Sequence, residues 1–205
     1  MPPTTSSSAP EDWTEPDVEF IEPIATVLGI VSVTLLVRQN IWCWPTGIVM
    51  VTLYIFIFYD ARLYSDMGLQ VAYVFMQAYG WYHWVTGAPE EDARLPVTRV
   101  TRGAALAWLA AIGVGTAGLG YGVDTYTDAD LAYWDAATTV MSLVAQFLQA
   151  RKVLECWALW VAVDVLAVGI YAYKGLYTTT ALYTVFLGLA TWGYLEWRRT
   201  LAAPR

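Results

Sequence analysis

The residues of this chain that could act on a small molecule stand out because their surroundings are so apolar. Asp164 lies about ten residues into a run beginning CWALWVAVDVLAVG, and no Lys or Arg stands at that depth in any apolar run. A carboxylate in such a setting needs water, a proton or a cationic ligand beside it. Trp157, Trp160, Asp164 and Tyr171 follow spacings of 3, 4 and 7, which is one face of a helix. Gln70, Tyr73, Gln77, Trp81 and Trp84 do the same at 3, 4, 4 and 3. Thr139, Ser142, Gln146 and Gln149 form a third polar stripe, and Thr179, Tyr183 and Phe186 line the last apolar run. Indoles stack on flat rings and amides bond hydroxyls, so this lining suits a ring compound bearing hydroxyl groups. The candidate ligand contacts are Gln70, Tyr73, Gln77, Gln146, Trp157, Trp160, Asp164 and Tyr183. Plain structural readings stand beside them. A Gln or Thr in a membrane helix commonly bonds a neighbouring helix. Trp81, Trp84 and Trp197, near the ends of their runs, fit an interfacial belt. Trp42, Trp44 and Trp157 fit a belt or a gate.

The medium that would hold these residues follows from composition. The chain is 58% hydrophobic and 14% charged, against about 25% charged for a soluble domain. That balance points to a membrane protein. The net charge of −7 collects in an N-terminal tail and two loops, so it says little about partners, and nothing points to nucleic acid. Two Cys, each one residue before a Trp in an apolar stretch, read as buried free thiols. Residues 1–19, rich in Pro, Ser, Thr and acids, read as a disordered acidic tail rather than a secretory signal. Seven stretches have the roughly 20 mostly apolar residues of a spanning helix: 20–37, 42–59, 64–86, 104–123, 131–150, 154–173 and 176–197.

A repeat organises these spans. Shifted by 113 residues without a gap, 26–84 meets 139–197 with 14 identities in 59 positions. They include Arg38/Arg151, Cys43/Cys156, Trp44/Trp157, Gly80/Gly193 and Trp84/Trp197. The shift carries the first three spans onto the last three across four crossings, so both copies point the same way. The expected fold is all-α, seven spans in a 3+1+3 parallel-repeat arrangement. Its units are a first repeat at 20–86, a connecting segment with the fourth span at 87–130, and a second repeat at 131–197. Residues 198–205 form a C-terminal tail. With the N-terminus outside, nine of the 11 Lys and Arg fall on cytoplasmic segments and two, Arg62 and Lys174, fall outside. In proteins built from such repeats, substrate binds between the repeats near the midplane.

Several activities lack their motifs. No GxxxxGK[ST], HExxH, GxSxG or Cys/His cluster occurs, so no metal or cofactor is expected and an enzyme is disfavoured. A retinal protein needs a Lys inside the last span, and Lys174 stands in a turn before it. WCWPTGIVMVTLYIFIFYDARLYSDMGLQVAYVFMQAYGWYHW, followed by CWALWVAVDVLAVGIYAYKGLYTTTALY, resembles the PnuC family of bacterial nicotinamide riboside transporters over nearly the whole chain after the tail. The resemblance implies a SWEET-like fold in the bacterial inner membrane and a homotrimer. It also implies facilitated diffusion with trapping by intracellular phosphorylation, and site features at Gln70, Gln77, Trp160 and Asp164. An acid at 164, where members can carry an amide, bears on substrate choice. Thiamine, a nucleoside, or a binding subunit of an ATP-driven importer are the alternatives.

Overall fold

The computed structural model describes residues 15–60, 62, 64–88, 95–127 and 131–203. Most of the expected N-terminal tail, residues 1–14, lies outside them, as do 89–94 and 128–130. Seven α-helices carry the described residues: α1 (Glu15–Val37), α2 (Cys43–Asp60), α3 (Tyr64–Thr86), α4 (Arg102–Tyr126), α5 (Ala132–Ala150), α6 (Cys156–Tyr173) and α7 (Tyr177–Ala202). Two boundaries depart from the sequence reading. α1 starts at Glu15, inside the expected tail. α7 runs past 197 to Ala202, with Arg199 in its last turn complementing the helix dipole.

Six helices close into a ring. α1 packs on α2, α2 on α3, α3 on α5, α5 on α6, α6 on α7, and α7 returns to α1. α4 stays outside and packs on α5 alone among the described helices. In this order α3 stands opposite α7, and among the described residues no backbone contact joins them. The outer faces are apolar and exposed, as with Phe56 on α2, Phe75 on α3, Val165 on α6 and Val185 on α7. Leu106, Leu109 and Val114 expose α4 in the same way. Apolar surface of this extent belongs against lipid or another chain. By length and composition alone, three helices can cross a membrane: α2, α4 and α6. The apolar part of α1, Ile21–Val37, is shorter. α3 and α5 owe their lower apolarity to the polar stripes, of which Gln77, Ser142, Gln146 and Gln149 are buried within the bundle, and α7 to its threonines and charged last turns.

The turns recur at the 113-residue offset, bond by bond. At the α1–α2 turn the Gln39 N–H donates to Leu36 O and Asn40 N–H to Leu35 O, each at 2.9 Å. At the α5–α6 turn Lys152 donates to Gln149 O at 2.9 Å and Val153 to Leu148 O at 3.0 Å. Gln39 and Lys152 both take a left-handed backbone, at φ 54° and 56°. That region disfavours side chains, so each turn depends on its hydrogen bonds to hold it. The α2–α3 and α6–α7 turns match as well: Arg62 (φ 58°) donates to Tyr59 O and Gly175 (φ 73°) to Ala172 O, both at 3.1 Å.

A strap not foreseen from the sequence joins the segment after α3 to the α5–α6 turn. Thr98 N–H donates to Lys152 O at 3.1 Å and Leu154 N–H to Thr98 O at 2.9 Å, a parallel β-bridge. Val100 N–H donates to the Glu155 carboxylate at 3.1 Å, and Arg99 pairs with it at 3.3 Å.

Candidate ligand-binding site

Because helix ends align, depth inside the ring can be counted from one end, where α1, α3, α5 and α7 finish and α2 and α6 begin. Nearest that end, Trp160 Nε1 donates to Gln149 Oε1 at 2.8 Å, tying α6 to α5. Gln77 lies seven residues before Trp84, and Asp164 seven residues after Trp157, so each sits about 10 Å deeper than its tryptophan. Gln77, Gln146 and Asp164 are all buried. The Gln77 amide lies where a side chain on Gly47 would go; a Cβ there would stand 2.6 Å from Gln77 Nε2. Gln146 Nε2 is buried with no hydrogen-bond partner among the described residues, a donor ready for a guest. Deeper still, Tyr73 reaches Ser142 across the α3–α5 contact. Tyr183 stacks on Tyr171 with ring centres 5.1 Å apart, and it is close enough to Asp164 and Tyr73 to interact electrostatically. Gln70 is half-buried, in the first turns of α3.

The structure therefore brings Tyr73, Gln77, Gln146, Trp160, Asp164 and Tyr183 onto the inner side of one ring. Trp157 sits elsewhere, packed edge-on against Trp197 at 5.4 Å and seated on Gly193. Trp84 and Trp197, read from sequence as belt residues, are 7% and 0% exposed. Each packs edge-on against an indole of the neighbouring helix that is seated on a glycine, Trp84 against Trp44 over Gly80 and Trp197 against Trp157 over Gly193. Trp81, placed on the same stripe as Gln77, is exposed, since four residues turn a helix about 40° past its starting face. Trp42 is exposed, as a belt residue would be. Lys152, counted from sequence only as a turn charge, is 2% exposed; its Nζ donates to Leu95 O at 2.6 Å and stands 4.6 Å from the Trp84 ring centre. Nothing in its sequence position signals that burial. Cys43 and Cys156 are buried free thiols.

A helical ring, apolar outside and lined within by amides, a carboxylate and aromatic hydroxyls, is the build of a membrane transporter for a small polar molecule. Comparisons with known proteins agree. A family model described as nicotinamide mononucleotide transporter matches residues 19–199, and the chain belongs to that family. The nicotinamide riboside transporter PnuC of Escherichia coli (strain K12) is 30% identical over 206 residues, covering 88% of this chain and 86% of that one. The riboflavin/roseoflavin transporter RibM of Streptomyces davaonensis is 28% identical, covering 85% of this chain and 82% of its own. The crystal structure of the vitamin B3 transporter PnuC matches with a TM-score of 0.73 at 26% identity, over 91% of this chain and 83% of that one. The relatives and the fold are those of transporters, not enzymes.

Proposed function

We propose that this protein carries nicotinamide riboside across the bacterial inner membrane by alternating access. The observation that carries the reading is Asp164, a buried carboxylate inside the ring of a chain whose relatives include nicotinamide riboside transporters. Nicotinamide riboside joins a pyridinium cation to a ribose. Asp164 balances the cation, and Trp160 offers an indole face worth about 0.5–2 kcal/mol to a cation, depending on desolvation. Gln77, Gln146 and Gln70 bond ribose and carboxamide, with Tyr73 and Tyr183 closing the far side. Trp157 acts through packing.

The halves in this reading are a 3+1+3, SWEET-like pair of parallel repeats, and all seven helices span. Support comes from the turn hydrogen bonds that recur at the 113-residue offset and from the α3·α5 and α7·α1 contacts, which that offset interchanges. The short turns oblige neighbours of α2 and α6 to cross as well. The segment boundaries at 86, 130 and 197 follow from the repeat, apart from the longer ends of α1 and α7. The N-terminus lies outside and the C-terminus inside, with the basic ends cytoplasmic. Phosphorylation within the cell then keeps the product from leaving, so no coupled ion is needed. The assembly is a homotrimer in the membrane, with the exposed apolar faces covered by lipid and by neighbouring copies.

A second substrate has its own support in the riboflavin/roseoflavin relative. Calorimetric titration of the purified protein with nicotinamide riboside, riboflavin, thiamine and uridine tests the choice. Nicotinamide riboside is expected to bind at least tenfold tighter than the rest. Tighter binding of riboflavin would replace the substrate and leave the transport reading standing.

A further inference from the structure

Four indoles cross the inside of the ring near its basic end. Trp44 on α2 meets Trp84 on α3 edge-on, centres 5.3 Å apart and planes at 83°. Trp157 on α6 meets Trp197 on α7 in the same way, at 5.4 Å and 90°. Each outer indole is seated on a glycine of its own half. A Cβ on Gly80 would stand 2.2 Å from the Trp44 ring, and one on Gly193 2.6 Å from the Trp157 ring. The inner two, Trp84 and Trp197, touch at 6.0 Å and 49°. That contact differs from the others in kind. α3 and α7 are opposite members of the ring with no backbone contact among the described residues, so their indoles meet only by crossing the interior. All four rings are buried, at 0–7% exposure, and they stand between the basic end and the polar residues below.

We infer that Trp44, Trp84, Trp197 and Trp157 form a gate at the basic end of the ring, which opens by parting Trp84 from Trp197 while each glycine seat stays closed. This rests on the transport reading above. Hydrophobic constrictions close a path by excluding water, and a row of indoles spanning the ring has that property. The weak joint lies between the halves. Within each half the outer indole is held by a notch on the neighbouring helix, whereas the central pair meets in a tilted contact with no such notch. The N–H groups of Trp44, Trp84 and Trp157 are buried without partners among the described residues, so parting the row lets water satisfy them and offsets part of the lost contact. Each central indole is also tied to the next unit along the ring: Trp197 Nε1 donates to Leu36 O at 3.3 Å, and Lys152 caps Trp84 at 4.6 Å. Movement of one half against the other therefore pulls on the central pair first.

The test is a reversible bridge. Trp84→Cys and Trp197→Cys are combined in a Cys43→Ser, Cys156→Ser background and joined with a reducible bifunctional thiol reagent. Bridging is expected to cut nicotinamide riboside uptake into liposomes at least tenfold, to leave the Kd within threefold, and to be reversed by reduction. Undiminished uptake when bridged overturns the gate, as does loss of binding, which would make the indoles part of the site. A third cysteine, Ser142→Cys, provides a readout independent of substrate. Its labelling from the basic end by a charged thiol reagent should fall at least tenfold on bridging, and unchanged labelling overturns the gate. If the unbridged protein binds no nicotinamide riboside while this labelling still falls, the substrate reading fails and the gate stands. Should the cysteine protein not fold, Trp84→Phe with Trp197→Phe weakens the central contact. It should raise uptake at least threefold with Kd within threefold; an unchanged or lower rate overturns the proposal.

Discussion

At residue scale the informative comparison is between equivalent positions of the two halves. Asp164 answers to Val51, Gln146 to Val33, Gln149 to Leu36, Trp160 to Gly47, and Gln77 to Ala190. Polar groups therefore stand where the repeat diverges, and the tryptophans and glycines of the scaffold where it agrees. A single asymmetric guest would need this arrangement, since identical linings would offer it two equal poses. Asp164→Asn keeps the shape and removes the charge. It should weaken nicotinamide riboside binding at least tenfold, about 1.4 kcal/mol, in a calorimetric titration, with riboflavin binding little changed. Wild-type affinity would put the counter-charge elsewhere. Trp160→Ala should also cost at least tenfold, because it removes the indole face and strands the Gln149 carbonyl now bonded at 2.8 Å. In Trp160→Phe the aromatic face survives without the donor, so a loss between wild type and the alanine variant separates the two contributions.

At the scale of elements, close packing of α2 on α3 and of α6 on α7 depends on two glycines. Gly80→Ala and Gly193→Ala each drive a methyl into an indole carbon, and the ring cannot yield because it is buried on every side. Each should cost about 1–3 kcal/mol, read as a lower thermal midpoint in detergent. Gly122→Ala on α4 meets nothing within 4 Å among the described residues and should leave the midpoint unchanged or slightly raised. Equal melting of all three variants would mean the seats contribute nothing. Helices α2 and α6 were legible as elements from sequence because each is a long, almost wholly apolar run. Their ends, Cys43–Asp60 and Cys156–Tyr173, differ by 113 residues at both termini. The strap at 95–100 was not legible, since a short parallel bridge between a loop and a turn leaves no periodic pattern.

For the whole molecule, the testable quantity is direction. Parallel repeats require Arg38 and Arg151 to reach the same side of the membrane, and Arg62 the other. Arg38→Cys and Arg151→Cys should react with an impermeant thiol reagent from the cytoplasmic side, and Arg62→Cys from outside, each in a background without Cys43 and Cys156. Labelling of Arg38→Cys and Arg151→Cys from opposite sides would end the parallel-repeat reading, whatever the substrate. The closed ring gives this experiment its meaning. In the proposed parallel-repeat reading α3·α5 and α7·α1 are the two contacts between units, so relative movement there changes the interior without breaking either unit.

Composition and period alone determined that this chain is a helical membrane protein with polar stripes on α3, α5 and α6. Those properties are carried by local runs of residues and survive being read in one dimension. Tertiary structure decided what faces what. A tryptophan near the end of a span has the same sequence signature whether it anchors at the lipid interface, as exposed Trp42 can, or fills the protein interior, as Trp84 and Trp197 do. The choice depends on an indole one helix away, Trp44 or Trp157, that packs edge-on against it, and for Trp84 on a lysine 68 residues along the chain whose ammonium is folded over its ring. Such long-range pairings arise only when the ring closes.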